Sequence, residues 1–267
     1  MELVLLFPIF VLGLAIGSFV NVLIYRTLKN ESPWEGRSYC DNCRRQLSWY
    51  ENIPVVSYLV LGGKCRTCKK KISWTYPVVE MVTGLLFVWW GTLGFAFFQL
   101  TRSPLLYLQP LFWLFVGLVL VVIFFADFKY GIIPDFAVAA LGLSSLLYRG
   151  FLVYVGEMQG RDFVLAVVSG LVALAAFFSL LVVTRGRGMG FGDVKFALVM
   201  GFLLGYPRVV VGFFLSFLLG GAVAVGLLLA GKKKFGQALA FGPFLIAGLI
   251  LALLWGGQIW GWYFSLL

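Results

Sequence analysis

The chain contains no histidine, and that absence narrows its chemistry before any motif is read. Without an imidazole there is no Ser-His or Cys-His nucleophilic pair, no His-Glu-x-x-His metalloprotease helix and no histidine general base. Charge is scarce as well: 12% of the 267 residues are charged, and only 11 are acids. If the protein is a hydrolase, those few carboxylates must carry the reaction. Also missing are the short segments of alternating polarity from which a transmembrane barrel is built, which excludes that architecture.

What the sequence does have is apolar length. Hydrophobic residues make up 61% of it, with 27 phenylalanines. Several separate runs reach about 20 apolar residues, enough to cross a hydrocarbon core of roughly 30 Å as a helix. The expected fold is an all-α polytopic membrane protein with about eight transmembrane helices, near 3–24, 76–99, 105–126, 132–148, 163–184, 194–206, 209–230 and 238–264. The first run is preceded by Glu2 and followed by Arg26 and Lys29, the reverse of a secretion signal's charge order, so it is read as a retained span.

The net charge of +10 would suit a nucleic-acid partner, but its distribution points to topology. Of 21 basic residues, 17 fall on one side of the expected spans: ten in 25–75, Lys129, three near 185–195, and Lys232, Lys233 and Lys234. The other side has Arg102, Arg149, Arg161 and Arg208. Basic loops stay cytosolic, so both termini are expected outside, with 25–75 inside. Contact with anionic lipid headgroups is a secondary consequence, and nucleic acid is not expected.

Segment 25–75 is the one polar insert large enough to be a small domain. It carries all four cysteines, as Cys40-Asp-Asn-Cys43 and Cys65-Arg-Thr-Cys68, with 21 residues between the pairs. Two C-x-x-C knuckles so spaced suit a tetrahedral four-sulfur zinc site. The alternative is a pair of disulfides, which a reducing cytosol disfavours. With four protein ligands the ion would be structural, stapling about 50 residues that lack an adequate apolar core.

The acids set against apolar spans are Glu80, Asp127, Asp135 and Asp193. Glu80, one turn into the second span after Pro77, is either a helix-dipole partner or a group facing a cavity. Asp135 beside Pro134 reads as an N-terminal helix charge. Asp127 ends an inward-running span, where an acid opposes the macrodipole and needs another reason to be present. Asp193 opens a span behind Gly188, Gly190 and Gly192, a spacing that gives an extended substrate backbone room to approach. By topology Asp127 and Asp193 share one membrane depth. Two carboxylates facing each other in a poorly solvated site cannot both be ionised cheaply, so they share a proton. One can then take a proton from water as the other donates to a carbonyl oxygen, with neither histidine nor metal required.

Further signals are Gly17, Ser18 and Asn21, small and amide residues suited to close helix packing, and Tyr25-Arg26, an interfacial anchor. Ala240-Phe241-Gly242-Pro243-Phe244 opens the last span with a bend that either starts a helix or shapes the mouth of a cavity near the aspartates.

In order, Gly17-Ser18-Phe19, Asn21, Ile24-Tyr25-Arg26, the two C-x-x-C pairs, Ile53-Pro54 with Ser57, Gly63-Lys64-Cys65-Arg66, Ile72-Ser73, Tyr76-Pro77 with Glu80, Asp127, Ile133-Pro134-Asp135, Gly190-Phe191-Gly192-Asp193 with Lys195, and Phe241-Gly242-Pro243-Phe244 resemble the bacterial type IV prepilin peptidases. These are GxGD membrane aspartyl proteases that also act as N-methyltransferases. The resemblance spans nearly the whole chain. It implies inner-membrane cleavage, at the cytosolic face, of the basic leader of type IV prepilins or type II secretion pseudopilins, followed by methylation of the new N-terminus from S-adenosylmethionine. It puts the catalytic roles on Asp127 and Asp193 and associates the cysteine loop with methyl transfer, which makes Gly63 and Glu80 the candidates for that function; Gly190 and Gly192, by their spacing, and Lys195 beside them are the candidate substrate contacts. The apolar runs and the polar insert divide the chain into a first helix (1–24), a four-cysteine zinc domain (25–75) and a seven-helix peptidase core (76–267). Departures are Asp-Asn inside the first knuckle, Thr75 where arginine is common, and Ala240 in place of proline. A transporter or pilus-assembly scaffold coupling ions through its acids is the competing reading. A magnesium-dependent phosphotransferase is a third.

Overall fold

A computed structural model describes residues 2–29, 31–94, 105–186, 188–232 and 239–265. Arg102, Arg187, Lys233 and Lys234 of the charge argument lie outside them, as do residues 95–99 and 238 of the expected spans. Among the described residues the architecture is helical without a named strand. In chain order the helices are α1 (Glu2–Leu28), α2 (Val56–Val60), α3 (Thr75–Trp89, continued by a π-helical turn, Trp90–Gly94), α4 (Leu105–Tyr130), α5 (Asp135–Tyr154), α6 (Gly160–Val183), α7 (Phe191–Leu204), α8 (Arg208–Leu229) and α9 (Gly242–Ser265). Eight of them answer the eight expected spans. Six contain stretches long and apolar enough to cross a membrane, while α3 and α7, at 15 and 14 residues, are shorter. This is a multi-pass membrane protein.

The chain divides into two compact units, 1–125 and 126–267. In the first, α1 lies directly on α3. A side chain at Gly13 would meet the Gly84 backbone at 2.8 Å, and one at Gly17 would meet Glu80 Cα at 2.7 Å. Small residues therefore set the helix separation, and Asn21 Nδ2 adds a hydrogen bond to the Tyr76 carbonyl at 3.0 Å. Arg26, expected as an interfacial anchor, is instead buried: its guanidinium donates to the carbonyls of Ser32, Glu35 and Arg37 and gathers the start of the polar segment around the end of α1.

In the second unit α7 is central, with ten of its 14 residues buried. A helix apolar on every side has no polar face to offer water, so it belongs inside the bundle. At 1.5 Å per residue it is about 21 Å long, short of a full crossing. Both its ends are satisfied by protein: Asp193 at the start, and Arg149, which donates to the Leu203 carbonyl at 2.8 Å, at the finish. Helices α5, α6, α8 and α9 pack against it.

Candidate active site and metal centre

Helix α4 runs to Tyr130, beyond the expected end of its span, so Asp127 sits inside its last turn. The residue is 5% exposed, and its Oδ2 accepts the N–H of Gly242, the first residue of α9, at 2.8 Å. Here is the reason an acid occupies a helix C-terminus: it faces the N-terminus of another helix, whose unpaired N–H groups and dipole favour an anion. The fit is tight around glycine: a Cβ at 242 would lie 2.7 Å from the same oxygen, so a larger residue would push the carboxylate aside. The Phe-Gly-Pro-Phe bend thus both starts a helix and closes on Asp127.

Asp193 is 6% exposed and stands at the third position of α7, where its Oδ2 accepts the Gly190 N–H at 2.9 Å. Each aspartate therefore has one oxygen tied to a backbone N–H at a helix start, with no hydrogen bond to the other oxygen among the described residues. The chain around Asp127 is drawn to the chain around Asp193 by two further contacts. Ile133 occupies the space beside Gly192, where a Cβ would come within 2.9 Å of its own. Asp135 Oδ1 pairs with Lys195 Nζ at 2.7 Å, while that ammonium also lies over the Phe191 ring. Asp193 is within Coulombic reach of Asp127. Two sequence readings are refined here: Asp135 is a first-turn helix acid and also an ion-pair partner, and Gly192 makes room for Ile133. The Gly242 N–H went unread, since a backbone donor leaves no residue-type signal.

Gly63 and Glu80 belong to the first unit. Glu80 is buried in α3, and its Oε2 accepts the Val55 N–H at 2.7 Å; Gly63 lies in the turn after α2, with φ +65°.

The four cysteine sulfurs lie within 4.8 Å of one another. A tetrahedral ion with bonds of about 2.3 Å needs sulfurs about 3.8 Å apart, and Cys40 Sγ and Cys68 Sγ are 3.8 Å apart. The donor set fits a metal ion. The two knuckles are copies of one another. Tyr39 bridges Gln46 as Lys64 bridges Lys71. Cys40 N–H bonds the Arg45 carbonyl as Cys65 N–H bonds that of Lys70, both at 2.9 Å. Arg44 and Lys69 take the same left-handed turn, φ 58° and 57°. Backbone N–H groups point at the sulfurs: that of Lys70 lowers the Cys68 thiol to about 6, and those of Cys68 and Thr67 lower Cys65, whereas burial pushes Cys40 up to about 11. At Cys65 and Cys68 such a lining favours the thiolate, the form that binds metal. Beside it Arg45 pairs with the buried Glu51 at 2.6 Å, and Glu51 also accepts the Ser48 N–H at 2.8 Å.

Together these features define a helical membrane protein with a buried-carboxylate site and a separate tetracysteine segment. Residues 11–93 match the Bacterial Peptidase A24 N-terminal domain, and residues 113–225 match the Type IV leader peptidase family. Similar proteins named prepilin leader peptidase/N-methyltransferase include that of Aeromonas hydrophila, 32% identical over 96% of this chain and 93% of the relative. Those of Bacillus subtilis (31%; 97% of each chain) and Neisseria gonorrhoeae (33%; 90% of this chain, 87% of the relative) carry the same name. The chain belongs to the type IV leader peptidase family. No solved structure matches it.

Proposed function

We propose that the protein cleaves the leader peptide from type IV prepilins or type II secretion pseudopilins at the cytosolic face of the bacterial inner membrane, and then methylates the exposed N-terminus. The observation that carries the peptidase reading is the pair of buried aspartates, each with one oxygen fixed by a backbone N–H at a helix start and one left over. A fixed oxygen holds the carboxyl plane, and the second oxygen is available to water and substrate. In the cycle one aspartate, ionised, takes a proton from the attacking water. The other, protonated, donates to the scissile carbonyl oxygen, and the proton is later passed to the leaving amine. Burial excludes bulk water from the pair and strengthens each of these interactions. Gly190 serves by donating its N–H, and Gly192 by letting Ile133 close the approach between α5 and α7; Lys195, paired with Asp135, fixes the same approach from outside.

The cysteine segment, 25–75, holds zinc in this reading, with Cys40, Cys43, Cys65 and Cys68 as ligands. With four protein ligands the ion offers no open position and acts as a cross-link. Residues 1–24 form the first span and 76–267 the peptidase core; both termini face outward and the basic loops contact anionic lipid. S-adenosylmethionine is consumed as the methyl donor, with Gly63 and Glu80 on the methyl-transfer side.

The test incubates the purified protein with a full-length prepilin and labelled S-adenosylmethionine, with and without EDTA, and reads product masses. The expected product is the mature pilin carrying one methyl group, and its cleavage does not depend on added divalent cation. Uncut prepilin under all conditions would sink the peptidase reading. A cleaved but unlabelled product would remove methylation alone.

A further inference from the structure

Val55 is held at φ 61° and ψ −50°, and the next N–H, of Val56, donates to the Pro54 carbonyl at 2.5 Å. That is a γ-turn with positive φ, a rare and strained conformation. A β-branched residue there is a true outlier, and such strain persists only where the surroundings over-determine it. The restraint is Glu80. Its Oε2 accepts the Val55 N–H at 2.7 Å. Glu80 cannot retreat, because its backbone is pressed against Gly17 of α1, where even a Cβ would come within 2.7 Å of Glu80 Cα. Thus α1 and α3 hold the carboxylate, and the carboxylate holds the turn.

The turn in turn launches α2. The Tyr58 carbonyl of that helix accepts the Gly63 N–H at 2.9 Å, and the Tyr58 ring fills the place a side chain at Gly63 would take, with Oη 2.9 Å from an added Cβ. Gly62 and Gly63 both have positive φ, 58° and 65°. The shape of the Tyr58–Gly63 surface is therefore inherited from Val55, and through it from Glu80.

We propose that Glu80 is a positioning residue for methyl transfer: it anchors the strained Pro54–Val56 turn and so sets the Tyr58–Gly63 surface, taking no part in proton transfer. This rests on the reading of Gly63 and Glu80 as methyl-transfer residues. Positioning requires only a hydrogen-bond acceptor, whereas acid–base chemistry requires a carboxylate. Glutamine keeps an acceptor oxygen of the same reach but loses the titrating group.

The experiment measures labelled methyl incorporation into an already cleaved pilin by full-length wild type, E80Q, E80A and the E80A/V55G double variant. Hydrogen exchange of 53–63 and bound zinc are read on the same samples. E80Q should stay within about threefold of wild type with an unchanged pH profile, because the acceptor survives. E80A should lose about tenfold or more through misplacement of the surface, with faster exchange at 53–63 and its zinc retained. Glycine adopts positive φ without a steric penalty, so V55G should restore most of the rate and the protection in the E80A background. E80Q as inactive as E80A would overturn the proposal, since the carboxylate itself would then be needed. So would an E80A/V55G protein no better than E80A, or an E80A protein whose 53–63 exchange is unchanged. A wild type that cleaves prepilin but never transfers a methyl group would instead remove the methyl-transfer reading on which this role rests.

Discussion

The tetracysteine segment and the aspartate site solve one problem at different ranges. Both collect groups that carry negative charge, and both aim backbone N–H groups at them. In the cysteine segment the collecting is local: two turns of the same design, each with its own bridge and left-handed residue, bring four sulfurs together. At the aspartates it is distant, since Asp127 is oriented by Gly242, the first residue of the last helix. A local site can be stapled by an ion, whereas a distant one stands only if the helices around it are placed correctly. The two regions should therefore fail differently.

The largest failure expected is at the cysteines. Structural zinc contributes on the order of 10–16 kcal/mol to small metal-folded peptides, far more than any single hydrogen bond nearby. Cys65→Ser should drop bound metal from one equivalent to little, and open the Lys- and Arg-rich segment 31–73 to trypsin. A variant that keeps its metal and its resistance would break the staple reading.

Next comes Gly242→Ala. The added methyl would sit 2.7 Å from Asp127 Oδ2, so the carboxylate must move and its N–H bond must break. A displacement near 1 Å at reacting groups costs about 100-fold, so prepilin cleavage should fall by about 10- to 100-fold with the fold intact. Gly221→Ala is the control, because nothing lies within 4 Å of the added atom. Equal rates for the two variants would deny the clamp.

A smaller effect follows from Glu51. Its hydrogen bond from Arg45, then that from the Ser48 N–H, holds its carboxyl below the usual carboxylate range. A lowered folded value contributes stability above the unfolded carboxylate pKa of about 4.3, and that contribution is lost as pH falls through the folded value. Protection against hydrogen exchange at 38–52, taken relative to the intrinsic rate at each pH, should therefore fall on acidification below about pH 4.3 in wild type, and less steeply in Glu51→Gln. Identical acid limbs would contradict this. The smallest effect is expected at Lys195. Its pair with Asp135 is solvent-accessible, and such pairs contribute only about 0.2–1 kcal/mol. Lys195→Ala should slow cleavage by less than about fivefold; a larger loss would mean that the ammonium also meets substrate.

The contrast between the regions also explains what could be read from residues alone. Two C-x-x-C pairs announce their own geometry, because a knuckle is built from consecutive residues. The membrane helices were legible from apolar length, although α7 begins three residues earlier than expected and α4 runs past Asp127. Hydropathy marks the ends of an apolar run, while a helix ends where its hydrogen bonds do. The acids themselves stood out by their rarity. Their partners did not: the Gly242 and Gly190 donors are backbone atoms, and the Val55 turn violates the preference of its residue type, so no propensity would place it.

The most direct measurement is the prepilin cleavage rate of Asp127→Asn, Asp193→Asn and the double variant, each purified with its zinc. If the two carboxylates act as one unit, each single change should cost on the order of 10³-fold or more, and the double variant should be no worse than the poorer single, as for residues that share one catalytic step. Wild-type cleavage by either single variant would contradict the assignment.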